Sequence, residues 1–74
     1  MTWYTPASAA RTGLWPLGAT EIRRRCAIYR EAADAGRKPP ADAIECIRVG
    51  TRYRVSDAAL DAWVARQAGR HYAA

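Results

Sequence analysis

The chain has few of the side chains from which metal centres and enzyme active sites are built. Its 74 residues include two cysteines, Cys26 and Cys46, one histidine, His71, and no CxxC pair. A zinc site needs about four such ligands, so we expect no bound metal. We expect both cysteines to be small buried residues in a reducing compartment. A catalytic nucleophile needs a base within hydrogen-bond reach, and the histidine stands near the chain's end, so we predict no enzymatic activity.

Long apolar runs and nucleotide-binding motifs are also missing. No stretch approaches the roughly 20 apolar residues of a membrane span, and residues 1–6 lack the positive start and apolar run of a secretory signal. Because the chain has no phosphate loop and no dinucleotide fingerprint, we expect it to bind neither a cofactor nor a small-molecule substrate. The length suits one domain over residues 1–74. We therefore predict a cytoplasmic, nucleoid-associated protein that has no membrane partner.

Positive charge is what the chain has in excess. Twelve Lys and Arg stand against seven Asp and Glu, a formal net charge of +5, and all but one of the basic residues are arginine. The planar guanidinium can pair with a phosphate or with a guanine edge in two-pronged fashion. An anionic membrane would call for a basic helix with a continuous bulky apolar face, which this chain lacks. The composition therefore favours double-stranded DNA as the partner.

Two helices are predicted in the first half of the chain. Thr5 suits an N-cap and Pro6 a first helical position, so a short helix should begin there and end at Gly13. Two glycines and a proline make residues 13–18 a turn. We expect the apolar residues of this turn to pack inward: Leu14, Trp15 and Leu17.

The second helix is predicted over residues 19–35, which contain neither glycine nor proline. Apolar residues recur there at helical spacing. The predicted buried stripe consists of Ile22, Cys26, Tyr29 and Ala33. Arg24 should point away from this stripe, with Arg23 and Arg30 together on one flank. Arg25 lies on the other flank, and we expect it to pair with an acidic neighbour.

A β-hairpin is predicted in the second half of the chain. Gly36 should end the second helix, and the prolines of residues 37–42 favour an extended link. In residues 45–55, apolar and polar side chains alternate on both sides of a Gly-Thr pair, as in a hairpin with one solvated face. The residues predicted to point inward are Ile47, Val49, Tyr53 and Val55. Those predicted to point outward are Arg48, Arg52 and Arg54.

Side-chain parity constrains the hairpin turn. A two-residue loop would place Val49 and Arg52 opposite each other and on one face, bringing an arginine beside the core. We therefore predict a three-residue tip at residues 50–52, with Val49 facing Tyr53 and Ile47 facing Val55.

A last helix is predicted from Asp57 to about Gln67, with Ser56 and Asp57 at its cap. Its buried face should carry Leu60, Trp63 and Val64. Residues 69–74 are predicted to form a disordered tail. The resulting fold class is α+β, mostly helical.

Residues 47–63, IRVGTRYRVSDAALDAW, and residues 5–10, TPASAA, match two family motifs. They resemble the "VRVGRRYRI...ALEAWL" ending and the "TPAEAA" opening of the excisionase family, phage and plasmid DNA-binding proteins related to the MerR-type winged helix. The resemblance implies a winged helix-turn-helix: short helix, turn, recognition helix, β-hairpin wing and C-terminal helix. It also implies that the recognition helix enters the major groove while the wing touches a minor groove or its phosphates.

The resemblance further implies a recombination directionality factor of a phage or prophage. Such an architectural protein binds attachment-site DNA, bends it and biases an integrase toward excision. One small module covers only roughly 600–1,000 Å² against DNA, so we also expect cooperative self-association on DNA. Two alternatives stay open: a small MerR-like transcriptional regulator that binds promoter DNA, and an interaction module that binds a protein and touches DNA little.

The expected DNA contacts fall into two sets. Those of the recognition helix are Thr20, Arg23, Arg24 and Arg30. Those of the wing and link are Lys38, Arg48, Arg52 and Arg54. Tyr53 and Trp63 are expected in the core, because each falls in an inward register, and the roles of Trp3 and Tyr4 stay open.

Overall fold

A computed structural model of the protein describes the backbone of residues 1–72 and the side chains of residues 1–68. Within this range the chain forms three helices and a three-stranded antiparallel sheet, which confirms the α+β class. The elements in chain order are β1 (Trp3–Tyr4), α1 (Pro6–Thr12), α2 (Ala19–Asp34), β2 (Ile47–Val49), β3 (Arg52–Ser56) and α3 (Asp57–Tyr72). In the sheet, β3 lies between β1 and β2.

The start and end of α1 follow local signals and agree with the sequence prediction. The Ser8 amide donates to the Thr5 hydroxyl at 3.0 Å, and the Thr5 amide donates to the Ser8 hydroxyl at 2.9 Å, so the two residues form a capping box. Pro6 occupies the first turn. Gly13 ends the helix with φ of 70°, a left-handed conformation that glycine adopts without a Cβ clash.

The turn after α1 buries one large side chain and exposes another. Trp15 is buried, and its indole Nε1 donates to Asp61 Oδ1 at 2.8 Å. Leu17 packs against the core, but Leu14 is 70% exposed, so the prediction that it packs inward is wrong. Trp15, which meets the Tyr4 ring edge-on at 5.5 Å, takes the interior position that the turn offers.

Helix α2 buries the stripe that its spacing predicts, except at its end. Ile22 and Cys26 are completely buried, and Tyr29 packs against the core cluster. Ala32 is buried where Ala33 was expected, because the step after Tyr29 is three residues rather than four. The helix stops where predicted, just before Gly36.

The hairpin register differs from the prediction. Val49 pairs with Arg52, Arg48 with Tyr53 and Ile47 with Arg54, which leaves a two-residue loop of Gly50 and Thr51. Gly50 has φ of 64° and Thr51 does not have positive φ, as in a type II′ turn with glycine first. The prediction of a three-residue tip is therefore wrong. Side-chain parity would exclude the observed register only if the apolar residues of β2 faced the core, and they do not.

Strand β2 supplies no buried side chain. Ile47 is 45% exposed and Val49 56% exposed, so their predicted inward placement is wrong, whereas Val55 is buried and Tyr53 packs against the core. Opposite residues of antiparallel strands share a face. Arg48 therefore lies on the Tyr53 face rather than with the other two wing arginines, which corrects its predicted orientation.

The irregular segment before β2 fills the core in place of that strand. Ala43, Ile44 and Cys46 are buried, and Cys46 Sγ donates to the Cys26 carbonyl at 3.4 Å. Ile44 and Cys46 join a cluster that draws on every helix and on β3: Ala9, Trp15, Ile22, Cys26, Ile44, Cys46, Val55, Leu60 and Trp63.

Hydrogen bonds from helix side chains fasten the link between α2 and β2. Trp63 Nε1 donates to the Asp42 carbonyl at 3.1 Å, and Arg66 Nη2 donates to the Ala43 carbonyl at 2.8 Å. The link forms a turn at residues 41–42 instead of staying extended throughout. The carbonyls of residues 41–43 pair with no strand and instead accept hydrogen bonds from α3 side chains.

Helix α3 has the predicted cap and buried face but a different end. The Ala59 amide donates to the Ser56 hydroxyl at 3.0 Å, Leu60 and Trp63 are buried, and Val64 packs beside them. The helix continues beyond the predicted end at Gln67 to Tyr72. Residues 73–74 of the predicted disordered tail lie outside the described residues, as do the side chains of the rest of that segment.

Candidate nucleic-acid interface

Ion pairs divide the arginines into two groups. Five of them lie within 4.0 Å of a carboxylate in the described part of the chain: Arg24, Arg25, Arg30, Arg37 and Arg48. Five further arginines and the lysine make no ion pair with a described residue: Arg11, Arg23, Arg52, Arg54, Arg66 and Lys38. The second group supplies uncompensated positive charge, which is the part of the surface that attracts a polyanion.

Arg23 and Arg52 meet at one depression of the surface. A notch of about 340 Å³ opens between the first turn of α1, the N-terminal half of α2 and the hairpin turn. Its lining residues are Thr5, Pro6, Ala7, Arg23, Thr51, Arg52 and Tyr53. No acidic residue lines the notch, so two exposed arginines from different elements border it without a counter-charge.

Arg24 and Thr20 lie on the exposed surface of the same end of α2. The Arg24 side chain is 63% exposed, although its Nη2 contacts Glu21 Oε1 at 2.6 Å. An exposed pair of this kind contributes only about 0–1 kcal/mol, so a stronger anionic partner can displace the glutamate. Both residues stay accessible to a ligand that covers the first turns of α2.

Two of the predicted contacts, Arg30 and Arg48, are engaged within the fold. Arg30 Nη2 lies 2.6 Å from Asp34 Oδ1, and Arg30 Nη1 donates to the Cys46 carbonyl at 3.2 Å. Arg48 Nη2 lies 3.8 Å from the other oxygen of Asp34. The hydrogen bond to Asp34 raises the pKa of Arg30. Asp34 thus joins the end of α2 to the hairpin through two arginines.

Arg25 has the intramolecular role that its flank position predicts. Its Nη2 lies 3.2 Å from Glu21 Oε2, and its Nη1 donates to the Asp42 carbonyl at 3.0 Å. The guanidinium also stacks over Trp63, 5.0 Å from the ring centroid. Arg25 therefore connects α2, the link and α3.

The remaining predicted contacts lie apart from the notch lining. Lys38 is exposed in the link, beyond the C-terminal end of α2. Arg54 is half-buried on β3, and its Nη1 is buried with no hydrogen-bond partner among the described residues. Arg54 stands opposite Ile47 in the sheet, so part of its side chain covers apolar surface.

One face of the sheet exposes apolar side chains. Trp3 pairs with Ser56, and by register it lies on the same face as Ile47 and Val49. Trp3 is 48% exposed, and with Met1 and Ile47 it borders a cavity of about 430 Å³ that reaches α3. Clustered exposed apolar side chains are typical of protein contact surfaces.

The cysteines are free and buried, as predicted. The hydrogen bond with the Cys46 side chain, together with burial, raises the pKa of the Cys26 thiol. Among the side chains that the structure describes, no three His, Cys, Asp or Glu residues are grouped so as to hold a metal ion. Within the same range, no helix has both the length and the apolar character to cross a bilayer.

Sequence reasoning missed one unpaired arginine and two parts of the notch lining. Arg11 in the last turn of α1 is exposed, and the absence of acidic residues three or four positions away already indicates that it is unpaired. The part of Thr51 in the notch follows from the type II′ turn, which a glycine before threonine permits. The first turn of α1 reaches the notch through tertiary packing, for which the sequence carries no signal.

Comparisons of the chain with protein-family models, with curated proteins and with solved structures find no match.

Proposed function

We propose that the protein is a sequence-specific double-stranded DNA-binding protein of the winged helix-turn-helix type. In this proposal α1, the turn and α2 are the helix-turn-helix, α2 is the recognition helix, and β2 with β3 is the wing. The observation that carries it is that Arg23 from α2 and Arg52 from the hairpin line one notch, which no acidic residue lines. A polyanion that spans helix and hairpin compensates both charges at once.

The position of the arginines on α2 supports the same interface. Recognition helices contact base edges mainly through their N-terminal residues. Thr20, Arg23 and Arg24 occupy the first turns of α2 and are exposed. Arg30, deeper in the helix, is held by Asp34 and the Cys46 carbonyl, so its part in the proposal is to fix the hairpin against α2.

The role proposed for this DNA binding is that of an excisionase: the protein bends attachment-site DNA and biases an integrase toward excision. The resemblance of residues 5–10 and 47–63 to that family supports it. The apolar face around Trp3, Ile47 and Val49 supports a protein partner as well, either the integrase or a neighbouring copy on the DNA.

Alanine substitution on α2 tests the DNA-binding proposal. Arg23→Ala and Arg24→Ala together should weaken binding to a mapped site while leaving thermal unfolding unchanged, because neither side chain is buried. Each base-edge contact contributes roughly 1–3 kcal/mol, so each lost contact should raise the dissociation constant about 5- to 150-fold. Arg37→Ala is the control for each single variant, since it removes one positive charge from an exposed site just beyond the other end of α2.

Equal affinity of the double variant and the wild-type protein for the mapped site would remove these residues from recognition. Absence of any salt-dependent duplex binding by the wild-type protein would overturn the DNA-binding proposal itself and favour an interaction module that binds protein.

The excisionase role has its own test on DNA that carries repeated half-sites. Gel shifts should show steep, cooperative addition of copies, and circular permutation of the site should reveal a bend. A stable dimer by sedimentation without DNA, or one copy that saturates the site without a bend, would favour a promoter-binding regulator.

A further inference from the structure

We infer that the notch is a phosphate clamp: Arg23 and Arg52 together hold one and the same phosphodiester group of the bound DNA strand. The inference rests on the proposed DNA-binding function, and it specifies that α2 and the hairpin contact the duplex at a common phosphate.

The charges at the notch call for a single shared anion. Neither Arg23 nor Arg52 has a carboxylate partner among the described residues, whereas their neighbour Arg24 is paired with Glu21. Both line the same cavity of about 340 Å³, and none of its other lining residues is acidic. Two like charges that border one cavity repel each other, and an anion bound in that cavity attracts both of them.

The chemistry of the notch suits a tetrahedral oxyanion. Each guanidinium presents a planar fork of N–H donors, so two of them can bind different oxygens of one phosphate. Thr51 and Tyr53 also line the notch, and each carries a hydroxyl group that can donate a hydrogen bond. A planar base offers fewer acceptors to such a set of donors than a phosphate does.

The clamp joins two elements, α2 and the hairpin, that no ion pair between described residues joins at the N-terminal end of α2. Arg48 and Arg30 connect the hairpin to the C-terminal end of α2 through Asp34. At the N-terminal end of α2, the described residues supply no equivalent carboxylate between Arg23 and the hairpin. A bound phosphate takes that place, so DNA itself completes the connection between the helix and the wing.

Titration with inorganic phosphate tests the clamp without DNA. In nuclear magnetic resonance spectra of the folded protein, the Nε–H signals of Arg23 and Arg52 should shift together and saturate with one dissociation constant. Arg52→Ala should abolish the saturable shift at Arg23, whereas Arg37→Ala, beyond the other end of α2, should leave both shifts unchanged. Persistence of the Arg23 shift in the Arg52→Ala variant, with an unaltered dissociation constant, would overturn the shared site.

Salt dependence on a mixed-sequence duplex tests the clamp in its proposed setting. Each neutralised phosphate contributes about 0.9 to the slope of log K against log salt. If both arginines hold one phosphate, Arg23→Ala with Arg52→Ala should reduce the slope by about 0.9 in total. Two separate phosphates would require about 1.8, and that result overturns the clamp while leaving DNA binding in place.

A matched pair completes the design. Arg24→Ala with Arg52→Ala removes the same charge from the same two elements, but only Arg52 lines the notch. In this pair, the two substitutions should change the binding free energy additively. The effects of Arg23→Ala and Arg52→Ala should instead be coupled, because both arginines bind the same phosphate. Additivity in both pairs would refute the clamp, and saturable phosphate binding without salt-dependent duplex binding would refute the proposed function instead.

Discussion

Truncating Ile44 should destabilise the protein far more than truncating Ile47, although the alternating pattern of the hairpin favours the opposite order. Ile44 is 0% exposed in the irregular segment before β2, whereas Ile47 is 45% exposed on the strand itself. Removing a completely buried isoleucine to alanine costs about 2–5 kcal/mol, because both transfer free energy and packing are lost. Ile47→Ala opens no enclosed cavity and should cost about 1 kcal/mol or less.

Urea unfolding followed by tryptophan fluorescence measures both free energies. A chain of this length has a total stability of about 4–11 kcal/mol, so Ile44→Ala can approach complete unfolding. Ile44→Val keeps the comparison measurable, with an expected loss of about 0.5–1.5 kcal/mol. If Ile47→Ala lowers the free energy of unfolding as much as Ile44→Ala does, the two-residue turn and the register that it sets are wrong.

Three further outcomes follow from the local geometry. Gly50→Ala should lower the free energy of unfolding by about 1 kcal/mol, because φ is 64° at this position. Gly18→Ser should stabilise α2 by a few tenths of a kcal/mol, because serine adds an N-cap side chain. Thermal unfolding measures both changes. Asp61→Ala should cost about 1 kcal/mol by removing the acceptor of the Trp15 indole, and Asp61→Asn should restore most of it in the same assay. Cys26 should resist iodoacetamide in the folded protein and react in urea, because it is buried and its pKa is raised; mass spectrometry would expose a native reaction that contradicts this.

Helix boundaries could be predicted where the residues that cap a helix lie within one turn of its end. Thr5 and Ser8 form their capping box within one turn, and Gly13 and Gly36 end helices by their own backbone freedom. Such interactions need no partner from a distant element. The end of α3 was the exception, since the helix continues through Gly69 to Tyr72.

The hairpin register could not be predicted from alternation, because alternation gives the two faces of a strand without saying which one is covered. On β3 the prediction was right, since Val55 is buried and Arg52 is exposed. On β2 it was wrong, because Ile44 and Cys46 fill the interior ahead of the strand. A buried irregular segment carries no periodic signal.

The candidate site divides in the same way. The basic composition and the place of Arg23 and Arg24 on an exposed helix face come from the sequence alone, since helical spacing decides which side chains oppose the buried stripe. Which arginines keep their charge uncompensated depends on carboxylates that only folding brings near, such as Asp34 beside Arg48.

By itself, then, the sequence determined the three helices and the existence of a hairpin, because each of these depends on residues within a few positions of one another. It also determined the excess of arginine, which is a matter of composition alone. Only the tertiary structure decided the face of β2, the pairing of β1 with β3, and the meeting of Arg23 with Arg52 at one notch. Those features depend on which distant segments compete for the same buried volume and the same charges. That competition is settled by packing of the whole chain.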